Sequence, residues 1–188
     1  MVARAESAAA TAERILDAAV EVFWELPTDK ISLDEVGRRA GVTVQTVIRR
    51  FGGREGLLAA GVQRESDKIR SQRLQAPVGD VASAVHVLID HYEALGDRVL
   101  KMLAEEDRIP GLRKIADRGR EVHREWCERT FAPALSALRY RDRARRLAQL
   151  IAVCDVYTWK LLRRDAARNR KEAEACVRHL VSRILEAA

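Results

Sequence analysis

Proline and glycine are scarce, 4 and 10 among 188 residues, so the chain has few places to turn and long stretches free for helix. No apolar/polar alternation runs far enough to suggest a sheet. The three cysteines, Cys127, Cys154 and Cys176, lie in apolar helical contexts and form no Cys-x-x-Cys pair, which points to buried free thiols rather than disulfides. No stretch approaches the roughly 18 uninterrupted apolar residues of a membrane span, and the opening MVARAESAAATAER lacks the apolar centre of a signal peptide. The expectation is a cytoplasmic protein with no membrane partner. Also missing are a P-loop, a Gly-rich dinucleotide turn, a nucleophile elbow and metal-ligand spacing. No catalytic residue, cofactor or metal is therefore expected, and an enzyme is disfavoured. His123 and Cys127, four residues apart, supply only two of the four ligands a structural zinc site takes. There is no internal repeat and no low-complexity segment. The hydrophobic content of 47% is enough for a packed core.

What is present is helical patterning, and it is most informative over residues 32–58, SLDEVGRRAGVTVQTVIRRFGGREGLL. Ser32 followed by Glu35 reads as a capping box, in which the hydroxyl takes one orphan N–H and the Glu reaches back to the cap. Leu33, Val36, Gly37 and Ala40 then form one inward face of about two turns, with Gly37 leaving room for another backbone. Gly41 supplies a left-handed stop and Thr43 a new cap two residues later. In the second helix Val44, Val47 and Phe51 are the inward stripe, and Gln45, Thr46 and Arg49 fall on the opposite face. Two short helices about a Gly-centred turn read as a helix-turn-helix. A surface hairpin with a merely solvated outer face fits the pattern as well. Arg and Gln on that face favour DNA, because they pair bidentately with guanine and adenine in the major groove.

The net charge of +6 suits an anionic partner, yet residues 1–60 hold eight Lys or Arg against nine Asp or Glu. What is local is the run 36–54, with Arg38, Arg39, Arg49, Arg50 and Arg54 and no carboxylate, an oriented basic side of the kind phosphate neutralisation requires.

These residues, with Ile15, Leu16, Ala19 and Val22-Phe23 in the preceding helix and the Arg-Glu-x-Leu-Leu start of the next, resemble the DNA-binding domain of the tetracycline repressor (TetR) family over about a third of the chain. The resemblance implies double-stranded DNA as partner, with Thr43, Val44, Gln45, Thr46, Ile48, Arg49 and Arg50 entering the major groove. It implies that Ser32, Ile48, Arg50 and Arg54 touch or flank phosphates. Ile48 stands where the family commonly has Tyr, Arg54 where it has Lys, and Pro27 where it has Gly. A helical interaction module without DNA readout, its arginines meeting an acidic protein surface, is the alternative.

The whole chain then reads as all-α: an N-terminal three-helix helix-turn-helix DNA-binding domain at 11–58, preceded by a flexible tail at 1–10 that carries Arg4, and a C-terminal helical effector-binding and dimerisation domain at 59–188. The spacing predicts helices at about 54–74 and 80–106, a short segment from Pro110-Gly111 to about 118, and a helix through 138 interrupted at Pro133. Residues 147–162 are apolar nearly all round one helix, and a final helix at about 171–187 follows. Asp155, inside that apolar stretch, needs a partner or a ligand. Tyr92, Met102, Trp126, Phe131, Cys154, Tyr157 and Trp159 would wall a pocket for an unknown small-molecule effector, though each alone reads equally as ordinary core. By resemblance, the last two helices pair with their copies in a homodimer, with Val177, Leu180, Val181 and Ile184 at the interface.

Overall fold

The computed structural model describes residues 2–26, 31–108 and 111–186, with side chains from Glu6 onward. Helix dominates and no strand occurs among them. The chain divides into two compact units, 1–65 and 66–188. The expected helix stop at Pro27, the boundary at Pro110 and the Arg4 side chain lie outside the described residues.

The first unit contains α1 (Val2–Glu25), α2 (Leu33–Ala40), α3 (Val44–Phe51) and the start of α4 (Arg54–Arg73). Helix begins at Val2, where a loose tail was expected, because the Ala-rich opening has the strongest helix propensity available and no breaker. Ile15, Leu16, Ala18 and Val22 of α1 close over Val36 and Ala40 of α2, Val47 of α3 and Leu57 of α4. Arg64 of α4 ties back to α1 through Asp17 at 2.8 Å and Glu13 at 3.4 Å.

Two glycines make this packing possible. A Cβ on Gly37 would stand 2.9 Å from the Val42 carbonyl oxygen, and one on Gly56 would stand 1.7 Å from that of Phe51. The first close approach is the one the sequence anticipates. The second, which brings the end of α3 against the first turn of α4, is not signalled by any pattern.

The second unit contains the end of α4, then α5 (Val81–Glu105), α6 (Leu112–Thr130), α7 (Ala132–Ser136), α8 (Tyr140–Val153), α9 (Val156–Lys160), a π-turn (Leu161–Asp165) and α10 (Arg170–Glu186). Asp80 caps α5, accepting from the Ser83 N–H at 3.0 Å and hydroxyl at 2.7 Å. The expected short segment ending near 118 is part of α6, which runs unbroken to Thr130. The interruption at Pro133 occurs as expected, its ring standing near the N-terminus of α7, where a missing N–H costs nothing.

Residues 147–162 do not form one helix. α8 ends at Val153, and Asp155 turns out to cap α9, its carboxylate accepting the Tyr157 N–H at 2.9 Å. That cap is the partner Asp155 needed. The break resets the helical phase, so Leu147 and Leu150 before it and Val156 and Trp159 after it all point inward, although one continuous helical wheel spreads them round its circumference. With Val85, Leu88, Ile89, Phe131, Leu135, Val177 and Val181 they form one core.

Candidate functional site

α3 is fastened at both ends. The Thr43 hydroxyl accepts the Thr46 N–H at 3.2 Å and lies 3.0 Å from the Thr46 hydroxyl. Gly52, at φ 75°, closes the other end with its N–H on the Ile48 carbonyl. Val47 is wholly buried beneath the helix, with Val44 and Phe51 partly buried beside it. Burying a side chain of that size contributes roughly 1.5–3 kcal/mol, so the outer face is held on a rigid element. That face presents Gln45, Arg49 and Arg50 to solvent, with Thr46 partly buried and Ile48 38% exposed. Ser32 caps α2 by accepting the Glu35 N–H at 3.2 Å.

The basic run is divided by ion pairing. The expected return bond from Glu35 to the Ser32 N–H gives way to Arg38, which donates to both carboxylate oxygens at 2.8 and 2.7 Å, and to Arg39 at 2.8 Å. Arg39 also reaches Glu25 of α1 at 2.6 Å. These bonds, Arg38 first and Arg39 second, hold the Glu35 carboxyl at about 2. Two of the five arginines are therefore spent inside the unit. Among the described residues Arg49, Arg50 and Arg54 have no carboxylate partner, and all three are exposed on α3 and at the start of α4. The free positive charge thus lies on the side of the polar α3 face, not across the whole run 36–54.

The residues expected to wall an effector pocket separate into four groups. Tyr92, Phe131, Cys154 and Trp159 are packed into the core. Tyr92 donates to the Cys154 carbonyl at 3.0 Å, and Trp159 donates to Glu93 at 2.8 Å while its ring fills the notch left by Gly96. Tyr157 is 54% exposed, and Met102 is half-buried on α5. Trp126 lines a cavity of about 170 Å³. The interface residues separate too. Val177 and Val181 are buried in the subunit's own core, whereas Leu180 is 39% exposed and Ile184 partly so. Cys127 and Cys154 are buried free thiols and Cys176 is half-buried. The Cys154 thiol and burial push the Cys127 thiol well up, so it stays protonated. Among the described residues no group of three or more His, Cys, Asp or Glu is placed to hold a metal ion, and no helix is long and apolar enough to cross a membrane.

A capped, exposed polar helix carrying unpaired arginines, set on a tight glycine turn in a three-helix core, defines a helix-turn-helix protein. Residues 15–60 match the family described as bacterial regulatory proteins, tetR family. An uncharacterized HTH-type transcriptional regulator of Mycobacterium tuberculosis is 32% identical over 78 residues, 42% of this chain, and the chain spans 38% of that relative's length. Among solved structures, a transcriptional regulator from Rhodococcus sp. Rha1 superposes with a TM-score of 0.68 at 20% identity, covering 93% of this chain and 96% of that one. A TetR-family transcriptional regulator from Streptomyces coelicolor superposes with a TM-score of 0.54 at 21% identity, covering 93% and 97%. The sequence likeness to the tetR family covers residues 15–60, and the solved structures share the fold of nearly the whole chain.

Proposed function

We propose that this protein is a DNA-binding transcriptional regulator, a repressor that sits on a palindromic operator as a homodimer in the cytoplasm and leaves it when a small-molecule effector binds the second unit. The observation that carries the reading is the outer face of α3, where Gln45 and Arg49 stand exposed beside the unpaired Arg50 and Arg54. Gln45, Thr46 and Arg49 read base edges; Arg50 and Arg54, with the Ser32 hydroxyl, hold phosphates. Nothing in this mechanism needs catalysis. One such unit covers a few base pairs, and two related by a two-fold axis read half-sites about one helical turn apart or more, with affinity multiplied by linkage. The exposed apolar residues Tyr157, Leu161 and Leu180 on the last elements of the second unit suit contact with a second copy. An effector releases DNA only by binding the weakly bound conformation better than the DNA-bound one.

The test is fluorescence anisotropy of the full chain on labelled duplexes, beginning with palindromes beside its own gene, across a range of salt. The expected result is a steep salt dependence together with a preference for one sequence of at least a hundredfold. Binding to no duplex, or to every duplex equally, overturns the reading and leaves a helical interaction module in its place.

A further inference from the structure

Arg73, near the end of α4, is only 5% exposed. Its guanidinium lies 5.3 Å from the centre of the Trp126 ring and 5.6 Å from that of Tyr92. One Nη is 3.1 Å from His123 Nδ1, and His123 Nε2 is 3.1 Å from the Ile151 carbonyl. The Nε2-protonated tautomer satisfies both contacts, so His123 accepts from Arg73 and contributes no negative charge. Among the described residues no carboxylate pairs with Arg73, and its Nε is buried with no hydrogen-bond partner. Trp126 Nε1 is buried and unpartnered as well. Buried cations are ordinarily paired, and buried N–H groups ordinarily bonded. Two aromatic faces offset part of the cost here, but they leave both donors unsatisfied.

Both residues line the same cavity of about 170 Å³. Leu74 and Val122 give it an apolar wall, and Arg70, Arg129 and Glu125 stand with them. The one carboxylate among the lining residues, Glu125, is already held by Arg70 at 2.8 Å, so the charge left over is positive. The nearby ring of His91 offers no anion either. Burial first, then the nearby Arg73 and His123, push it down to about 3, and it stays neutral.

We propose that this cavity binds a small organic carboxylate that draws the buried Arg73 Nε and Trp126 Nε1 donors round to its oxygens, with its apolar body against Leu74 and Val122. The site is smaller than the roughly 300–1,000 Å³ of pockets for drug-sized ligands, which selects a short aliphatic or single-ring acid. Arg129 supplies further attraction for an anion. The inference names the chemical class of the effector, and so rests on the reading of the second unit as effector-binding.

Matched acids and amides test it: benzoate against benzamide and hexanoate against hexanamide, titrated into the full-length protein without DNA by calorimetry, with tryptophan fluorescence read in parallel. At least one acid is expected to bind tenfold or more tightly than its amide and to perturb Trp126 emission. Arg73→Gln is expected to lose that affinity at least tenfold. Should circular dichroism show Arg73→Gln unfolded, Trp126→Phe keeps an aromatic ring over Arg73 and removes the indole N–H, with a severalfold loss of the acid expected. Equal binding of acid and amide, no binding of either acid at millimolar concentration, or full affinity in the folded variants each overturns the proposal. Duplex binding is measured separately. A protein that takes the acid but ignores DNA sinks the regulator and keeps the site, and the reverse sinks the site alone.

Discussion

Arg49 and Arg54 are both exposed and unpaired, yet they make different demands on DNA. Arg49 stands on the polar face of α3, opposite the buried Val47, where a side chain meets base edges. Arg49→Ala is expected to weaken operator binding by about 1–3 kcal/mol and to relax preference at one base position per half-site. Arg54 opens α4 beyond the Gly52-Gly53 break, and Arg54→Ala is expected to weaken all duplexes alike with a shallower salt slope. Competition assays against single-base operator variants separate the two, and a uniform loss for Arg49→Ala makes it a phosphate contact instead. The glycines of α4 give an equally sharp contrast. Gly56→Ala drives a methyl into the Phe51 carbonyl, whereas a Cβ on Gly61 meets nothing within 4 Å. The first is expected to cost more than the roughly 1–3 kcal/mol of ordinary overpacking, because backbone must move. The second removes chain entropy from the unfolded state and is expected to stabilise by about 0.4–1 kcal/mol. Urea denaturation of the two variants checks both signs.

At the scale of elements, the break between α8 and α9 decides which residues the second unit hides. Asp155 caps the short α9, and Thr158 supports the turn with its hydroxyl on the Ala152 carbonyl at 2.7 Å. Beyond α9, Glu93 of α5 accepts Trp159 Nε1 and two bonds from Arg163 in the π-turn, and Arg164 lies 4.6 Å above the Trp159 ring. Arg163 first, with help from Trp159, holds the Glu93 carboxyl at about 2. A π-turn between two helices is thus pinned by a charged anchor on a third. Asp155→Ala is expected to cost about 1 kcal/mol through the lost cap, and Asp155→Asn to recover most of it, since an amide oxygen accepts the same N–H. Thermal denaturation of the pair decides this, and equal destabilisation by both substitutions would mean that the charge matters rather than the cap.

For the molecule as a whole, stability is expected to fall with acid in two stages. His91 is buried neutral with its affinity for protons depressed from 6.5 to about 3. The unfolded chain therefore takes up a proton first, and the contribution present above pH 6.5 shrinks as pH falls towards 3. One proton over the interval from pH 6.5 to 5 amounts to roughly 2 kcal/mol. Glu35 and Glu93, also depressed, hold their contribution above about pH 4.5 and lose it as pH falls towards 2. Melting temperatures from pH 7.5 to 5 should drop in the native chain and flatten in His91→Leu; an unchanged slope assigns the loss elsewhere. The proposed homodimer yields to a second pair of substitutions. Leu180→Glu, at an exposed position, is expected to give a folded monomer, whereas Val181→Glu, at a fully buried one, is expected to unfold the subunit. Sedimentation and circular dichroism read together distinguish these outcomes.

Local rules sufficed where the chain acts on its nearest neighbours. The Ser32 and Thr43 caps, the left-handed Gly41, the inward stripe of α3 and the close approach at Gly37 are all contacts within a few residues, and all were legible in the sequence. So was the interruption at Pro133, which follows from a missing N–H. Tertiary packing decided the rest. It set Arg39 against Glu25 of α1 and so completed the division of the basic run that the local Glu35 pairs with Arg38 and Arg39 begin, because a carboxylate prefers a bidentate cation to a single amide. It buried Val177 and Val181, leaving Leu180 for any partner, because a stripe in one helix does not say which of its residues a neighbour will cover. Arg73 is the clearest case. It lies in the polar stretch RESDKIRSQR of α4, where every rule of periodicity assigns it to solvent, and only the arrival of α5 and α6, with Tyr92, His123 and Trp126, takes it out of water.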